Sequence, residues 1–339
     1  MTLNGRCVAL DVMARHRSGT NWSWLRWLIE SNLREQPGFE AGFELEEKIQ
    51  SLGQGLFHRN YLFEARGELL VLRLSKIEPD LQDRKEAVDR LHKEAKTLRA
   101  LESFDLPFEV PKLICLVKED SEDPIGLIES AVNGESLSLF CRGIEPEFPL
   151  KIIAEVAVAV HKLPKSDFTH LTTRVDARTH VQEQLQELPP SLFEQFGEAA
   201  DARDWVLDHL PEGQPSTVLH GDLLPQNLLL DHSADGRVAV IDWECAEIGD
   251  PAWDIAIVTR GVRKPLGAAS GLRRLVEYYN EAGGQKITLS AVIAHELLFH
   301  LEWMAEAVEN RAKNRFGGHG PEHYAGLLRS IQSRAEQLS

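Results

Sequence analysis

The chain has 339 residues, more than one ordinary hydrophobic core accommodates, so two lobes are expected. Hydrophobic residues make up 43% and charged residues 27%, the balance of a soluble globular protein, and no apolar run is long enough to span a bilayer. A formal net charge of -16 repels a phosphate backbone, which makes nucleic acid a poor partner and cationic small molecules a better one.

At the N-terminus, Arg6, Arg15 and Arg17 accompany only short apolar stretches with no Ala-x-Ala cleavage pattern. No secretory signal is expected, and the cytoplasm is the expected compartment. The four cysteines, Cys7, Cys115, Cys141 and Cys245, are widely spaced without a Cys-x-x-Cys pair, which argues against both a disulfide framework and a zinc site.

Residues 20–36 place Trp24, Trp27, Leu28 and Leu33 at helical intervals, so residues 1–42 are expected to form a helical extension ahead of the main fold. From about Phe43 the pattern changes to short alternating runs, "YLFEA", "ELLVLRL" and "PKLICLV". Gly53, Gly55, Gly67 and Pro111 punctuate them, as in an antiparallel sheet. One helix interrupts that sheet, "KEAVDRLHKEAKTLRAL", with Ala87, Leu91, Ala95, Leu98 and Leu101 along one face. After "IGLIESAVNGESL" the chain turns helical, through "PLKIIAEVAVAVHKL" and on to "SAVIAHELLFHLEWMAEAVENRAK". The expectation is an α+β chain: a small sheet-rich lobe over 43–130, a hinge near Glu129 to Gly134, and a larger helical lobe over 131–339.

The clear strands of the second half lie within "HGDLLPQNLLLDHSADGRVAVIDWE", His220 to Glu244. Two β-branched or aliphatic runs flank the turn dipeptide Asp235-Gly236, which predicts a hairpin. Antiparallel pairing about position 234.5 brings Asn227 and Asp242 side by side at its open end, with Asp222 in the loop leading into that end. Two carboxylates and an amide are hard oxygen ligands suited to Mg²⁺, which binds through one or two carboxylates plus substrate phosphates. A carboxylate left off the metal can take a proton from an attacking hydroxyl, and that division of labour is the one used in phosphoryl transfer.

His220, Asp222, Leu223 and Asn227 also reproduce the H-x-D-L-x-x-x-N spacing of a kinase catalytic loop. With "HGDLLPQN", "VIDWE" and "GDPAWDIA", the chain resembles the aminoglycoside phosphotransferase and choline kinase family over roughly Glu46 to Ala312. The resemblance implies a bilobal protein-kinase-like fold. It implies Asp222 as catalytic base, Asn227 and Asp242 as Mg²⁺ ligands, and His220, Asp250 and Asp254 as braces or helix caps. It places Arg73 in the strand position where kinases carry lysine and Glu94 as its helix partner. Gly53 and Gly55 of "LGQGLFHRNYLF" would lie over the phosphates of ATP or GTP, and backbone groups near Glu129 and Ala131 would bind the purine. His58 departs from the family pattern, where Asn is common.

The acceptor is left open by the residues. Glu302, Glu306 and Glu309 share one helix face, and Glu244 and Glu247 follow Asp242 closely, so they are candidate grips for the ammonium groups of an aminoglycoside-like sugar. Trp243, Trp253 and Trp303 are instead candidates for a cation–π box around choline. Ethanolamine, homoserine and methylthioribose-like acceptors stand behind these, and a nucleotide-binding pseudo-enzyme or a metal-dependent hydrolase are the readings from other classes.

Overall fold

The computed structural model describes residues 21–39, 45, 48–54, 58–76, 81–119, 121, 123–138, 147–174, 176–210, 215–231, 236–259, 271–309 and 319–338. The chain divides into two compact units, Met1–Asp105 with Val110–Val132, and Leu106–Glu109 with Asn133–Ser339. Its architecture is α+β.

The first unit contains helix α1 (Trp22–Leu33), strands β1 (Gln50–Gln54), β2 (His58–Ala65), β3 (Glu68–Ser75), β4 (Leu113–Val117) and β5 (Gly126–Ser130), and helix α2 (Leu81–Leu101) between β3 and β4. The strands form one antiparallel sheet in the order β1-β2-β3-β5-β4. Side chains alternate between its faces. Tyr61, Phe63 and Ala65 of β2 and Leu70, Leu72 and Leu74 of β3 share one face, where Trp24, Leu25, Leu28, Ile29 and Leu33 of α1 bury against them. The N-terminal helix is therefore part of this unit's core. Asn21 caps it by accepting from Trp24 N at 3.1 Å. Asn32 reaches edge strand β4, donating to Lys118 O and accepting from Lys118 N at 2.8 Å each, which satisfies backbone groups beside an otherwise open sheet edge.

The opposite face of the sheet carries Arg73, paired in register with Asn60 of β2 and Leu127 of β5. Helix α2 buries Ala87, Leu91, Ala95, Leu98 and Leu101, the face its periodicity predicts.

The second unit contains helices α3 (Glu147–His161), α4 (Ala177–Glu187), α5 (Pro190–Gln195), α6 (Gly197–His209), α7 (Ala252–Ile257), α8 (Gly271–Glu281), α9 (Leu289–Glu309) and α10 (Pro321–Leu338). Helix α9 is buried without interruption from Ala291 to Leu301, so it is a central helix and not an amphipathic surface one. No helix among the described residues is long and apolar enough to cross a membrane.

Among the described residues five short strands accompany them: β6 (Glu135–Ser136), β7 (Thr217–Leu219), β8 (Leu228–Asp231), β9 (Arg237–Val240) and β10 (Glu247–Gly249). Strands β8 and β9 form the expected hairpin, flanked on one side by β6. On the other side Glu109 bridges to β9, its N–H donating to Val238 O and its carbonyl accepting from Val240 N at 2.8 Å each. Gly236 takes the left-handed turn conformation at φ +77°, and Asp235 lies outside the described residues. Strands β6, β7 and β10 were not expected, because two or three residues are too few to show a period-2 pattern.

Candidate functional site

Asp222 sits in the loop between β7 and a single 3₁₀ turn, Pro225–Asn227, and local hydrogen bonds fix that loop. Asn227 Nδ2 donates to the Asp222 backbone carbonyl at 2.8 Å and to Asp222 Oδ2 at 3.0 Å. These bonds orient the catalytic candidate. They also set the direction of the Asn227 amide, because its reversed form would press Oδ1 against two acceptor oxygens. Asn227 Oδ1 therefore faces away from Asp222.

His220 is fully buried and acts as a brace. Its Nδ1 accepts from Asp222 N at 3.2 Å, so the proton lies on Nε2, which donates to Ile241 O at 3.0 Å. Ile241 N in turn donates to Asn227 O at 3.0 Å. Both backbone groups of Ile241 are thus held by the loop that carries Asp222 and Asn227.

Asp242 follows directly and has left-handed backbone, φ 71° and ψ 58°. This corrects the expected register. Leu228 pairs with Val240, so Asn227 lies opposite Ile241, and Asp242 is one residue beyond the pair. The left-handed turn ends the strand there and starts the 3₁₀ turn Trp243–Cys245. A non-glycine residue at such φ stores strain of the kind that gathers at functional sites.

A second layer fixes the loop from behind. Asp254 of α7 is fully buried; its Oδ2 accepts from His220 N and its Oδ1 from Gly221 N, both at 2.8 Å. His161 Nε2, from α3, contacts Asp254 Oδ2 at 3.1 Å, and His161 Nδ1 contacts Tyr279 OH of α8 at 2.7 Å. Burial pushes the Tyr279 phenol up, keeping it protonated and a donor. Gly221 is needed where it stands: its φ is +80°, and a Cβ would overlap Cys245 O.

Asp250 caps α7 by accepting from Ala252 N at 2.9 Å, and its Oδ2 meets His295 Nε2 of α9 at 2.9 Å. Burial alone would raise its carboxyl, but the His295 hydrogen bond and charge hold it below the ordinary value. His161, Tyr279 and His295 had no signal in the sequence, because their partners lie far away along the chain.

In the first unit, Arg73 and Glu94 are buried and form an ion pair, Nη1 to Oε1. His58 Nδ1 lies 3.3 Å from Arg73 Nη2. Gly53 sits at a register shift between β1 and β2 with φ +108°, while Gly55 lies outside the described residues. Glu129 is buried on β5 opposite Val71. Ala131 N–H donates to Leu69 O at 2.9 Å, extending the sheet, which leaves its carbonyl as the backbone group on offer there.

The acceptor candidates divide. Trp243 is fully buried, with Nε1 donating to Val240 O at 3.1 Å and its ring stacked on Phe108, so it is a core residue and not a cation–π wall. Trp253 Nε1 donates to Gly221 O at 3.3 Å, and its ring packs edge-on against Phe299. Glu244 is buried in the 3₁₀ turn, and Glu247 pairs with Arg174 at 3.2 Å. On α9, Glu302 accepts from Gln184 Nε2 at 3.1 Å; Glu302 and Glu306 are half-buried and Glu309 is exposed.

Among the described residues no three His, Cys, Asp or Glu side chains gather as a metal site. The donors at the hairpin's open end are an amide oxygen and a carboxylate, Asn227 and Asp242. Such a set fits Mg²⁺, which takes few protein ligands and completes its shell with water and phosphate.

The profile of the phosphotransferase enzyme family matches residues 48–288. Among curated proteins there is no match. Solved structures share the fold. A GDP complex of aminoglycoside 2'-phosphotransferase-IIIa matches with a TM-score of 0.65 at 16% identity, over 93% of this chain and 100% of that one. Macrolide 2'-phosphotransferase type I gives 0.61 at 21% identity, over 91% and 95%. A ternary complex of aminoglycoside phosphotransferase APH(4)-Ia with ADP and hygromycin B gives 0.58 at 18%, over 86% and 95%. The fold is the protein-kinase-like one of these enzymes, and the chain belongs to the phosphotransferase enzyme family.

Proposed function

We propose that the protein transfers the γ-phosphoryl group of ATP or GTP to a hydroxyl of an aminoglycoside-like or other amino-sugar acceptor, in the cytoplasm. The observation that carries this reading is the fixed geometry around Asp222: a carboxylate held through Oδ2 by Asn227, in a loop braced by His220 and Asp254. Asp222 is the base. It orients the acceptor hydroxyl and takes its proton as the new O–P bond forms. Asn227 Oδ1 and the Asp242 carboxylate hold Mg²⁺, which neutralises charge on the nucleotide phosphates when bound.

Residues 43–130 serve the nucleotide and residues 131–339 the acceptor. Arg73, steadied by Glu94, contacts the phosphates, and the backbone at Gly53 and Gly55 lies over them. The purine is bound by backbone groups near Glu129 and by the Ala131 carbonyl, since the Ala131 amide is already engaged. GDP and ADP complexes of structural neighbours support a purine nucleotide donor.

Two observations favour an amino sugar over choline. Trp243 and Trp253 are engaged in packing and hydrogen bonding, leaving no three-ring box, and a net charge of -16 attracts polycations. Replacing Asp222 by Asn tests the base directly. Turnover should fall about 10²- to 10⁴-fold while nucleotide affinity is retained. Near-wild-type turnover in Asp222→Asn would remove Asp222 from that role.

A further inference from the structure

The Arg73–Glu94 pair has a third member. His58 begins β2, with Ser75 of β3 as its register partner, two positions along from the pairing of Asn60 with Arg73. Alternation along β2 therefore puts His58 and Asn60 on the sheet face that carries Arg73, opposite the face covered by α1. His58 is 4% exposed, and its Nδ1 lies 3.3 Å from Arg73 Nη2.

The chemistry of this contact has one solution. A guanidinium has five N–H donors and no acceptor, so His58 Nδ1 supplies the lone pair and the ring proton sits on Nε2. Glu94 takes one terminal nitrogen of Arg73 and His58 the other. A guanidinium held at only one terminal nitrogen can still pivot about that contact. Held at both, by acceptors on two different elements, its plane is set by α2 and β2 together.

We propose that His58 is a positioning residue for nucleotide binding: it acts through Arg73, fixing the guanidinium plane that meets the phosphates. The inference rests on the kinase reading above and adds to it a residue at which the chain departs from the family's common Asn. That departure is chemically conservative in one respect. An Asn side chain carries its carbonyl oxygen at the branch position where His carries Nδ1, so either residue can accept from Arg73, whereas Leu fills the space and accepts nothing.

The test compares wild type, His58→Asn and His58→Leu, each also in an Arg73→Ala background. Direct binding of ADP by titration calorimetry and steady-state KM and kcat for ATP are measured, with thermal melting as the control for folding. Losing one hydrogen bond to a charged group should weaken ADP binding and raise the ATP KM about tenfold in His58→Leu, with kcat nearly unchanged. His58→Asn should restore both to within about threefold of wild type, and His58→Leu should add nothing once Arg73 is Ala.

Wild-type affinity in a folded His58→Leu overturns the proposal, as does an His58→Asn protein as impaired as His58→Leu, or a full additive loss in the Arg73→Ala background. If His58→Leu does not fold, the Asn variant decides: impaired binding in it overturns the proposal, and retained binding upholds it. Wild-type protein that fails to bind any nucleotide overturns the kinase reading and this inference with it, an outcome distinct from all the others.

Discussion

Asp254 shows how one buried carboxylate holds the Asp222 loop in place. Two consecutive backbone N–H groups, at His220 and Gly221, end on its two oxygens, and His161 shares one of them. Replacing it by Ala leaves these donors buried without an acceptor, at about 1–3 kcal/mol for each uncompensated group. Asp254→Ala should therefore lower the melting temperature by several degrees and reduce kcat. Unchanged kcat in a folded Asp254→Ala protein would mean that the loop holds its shape without this support. The nearness of Asp222 and Asn227 and the bracing roles of His220 and Asp254 were readable because these residues fall within two short motifs at fixed spacing. His161, Tyr279 and His295 were not, since each meets its partner only after helices distant in sequence have packed. The hydrogen bond from Ala131 N to Leu69 O was invisible for the same reason: spacing says nothing about which sheet carbonyl an amide will meet.

Helix α1 illustrates what periodicity can and cannot tell. Trp24, Leu28 and Leu33 recur at helical intervals, and those residues are buried, while Trp27 is 48% exposed. The pattern gave the helix and most of its apolar face, but the surface that face covers comes from the β2 and β3 side chains it meets. Leu28 lies fully buried among them. Leu28→Ala should destabilise the protein by about 2–5 kcal/mol, from lost burial and the cavity left behind. Denaturant unfolding checks this, and a change below about 1 kcal/mol would place α1 outside the core. The β8–β9 hairpin was equally readable from its two apolar runs and the Gly236 turn. Its register differs by one because the pairs from Leu228–Val240 to Asp231–Arg237 centre on position 234 and not 234.5, a half-step that the two apolar runs do not fix by themselves. Strands β6, β7 and β10 exist through tertiary pairing, so no local pattern announced them.

For the whole chain, the phosphotransferase family accounts for residues 48–288, and the described residues of both units include the candidate site residues. Arg73 and Glu94 are paired in one unit; Asp222, Asn227 and Asp242 sit on one loop and hairpin end in the other. The acceptor was the least legible part, because carboxylates such as Glu302 and Glu306 look alike in sequence whether they bind a ligand, neighbours or water. The measurement that tests the account most directly is the mass of candidate acceptors after incubation with the protein, Mg²⁺ and either ATP or GTP, with Asp222→Asn as control. The panel comprises aminoglycosides, choline, ethanolamine, homoserine and sugars. The account predicts a gain of one phosphoryl group, about 80 Da, on an amino sugar with wild-type protein and none with Asp222→Asn. Nucleotide binding with no mass gain on any acceptor, or equal gain with Asp222→Asn, would contradict it.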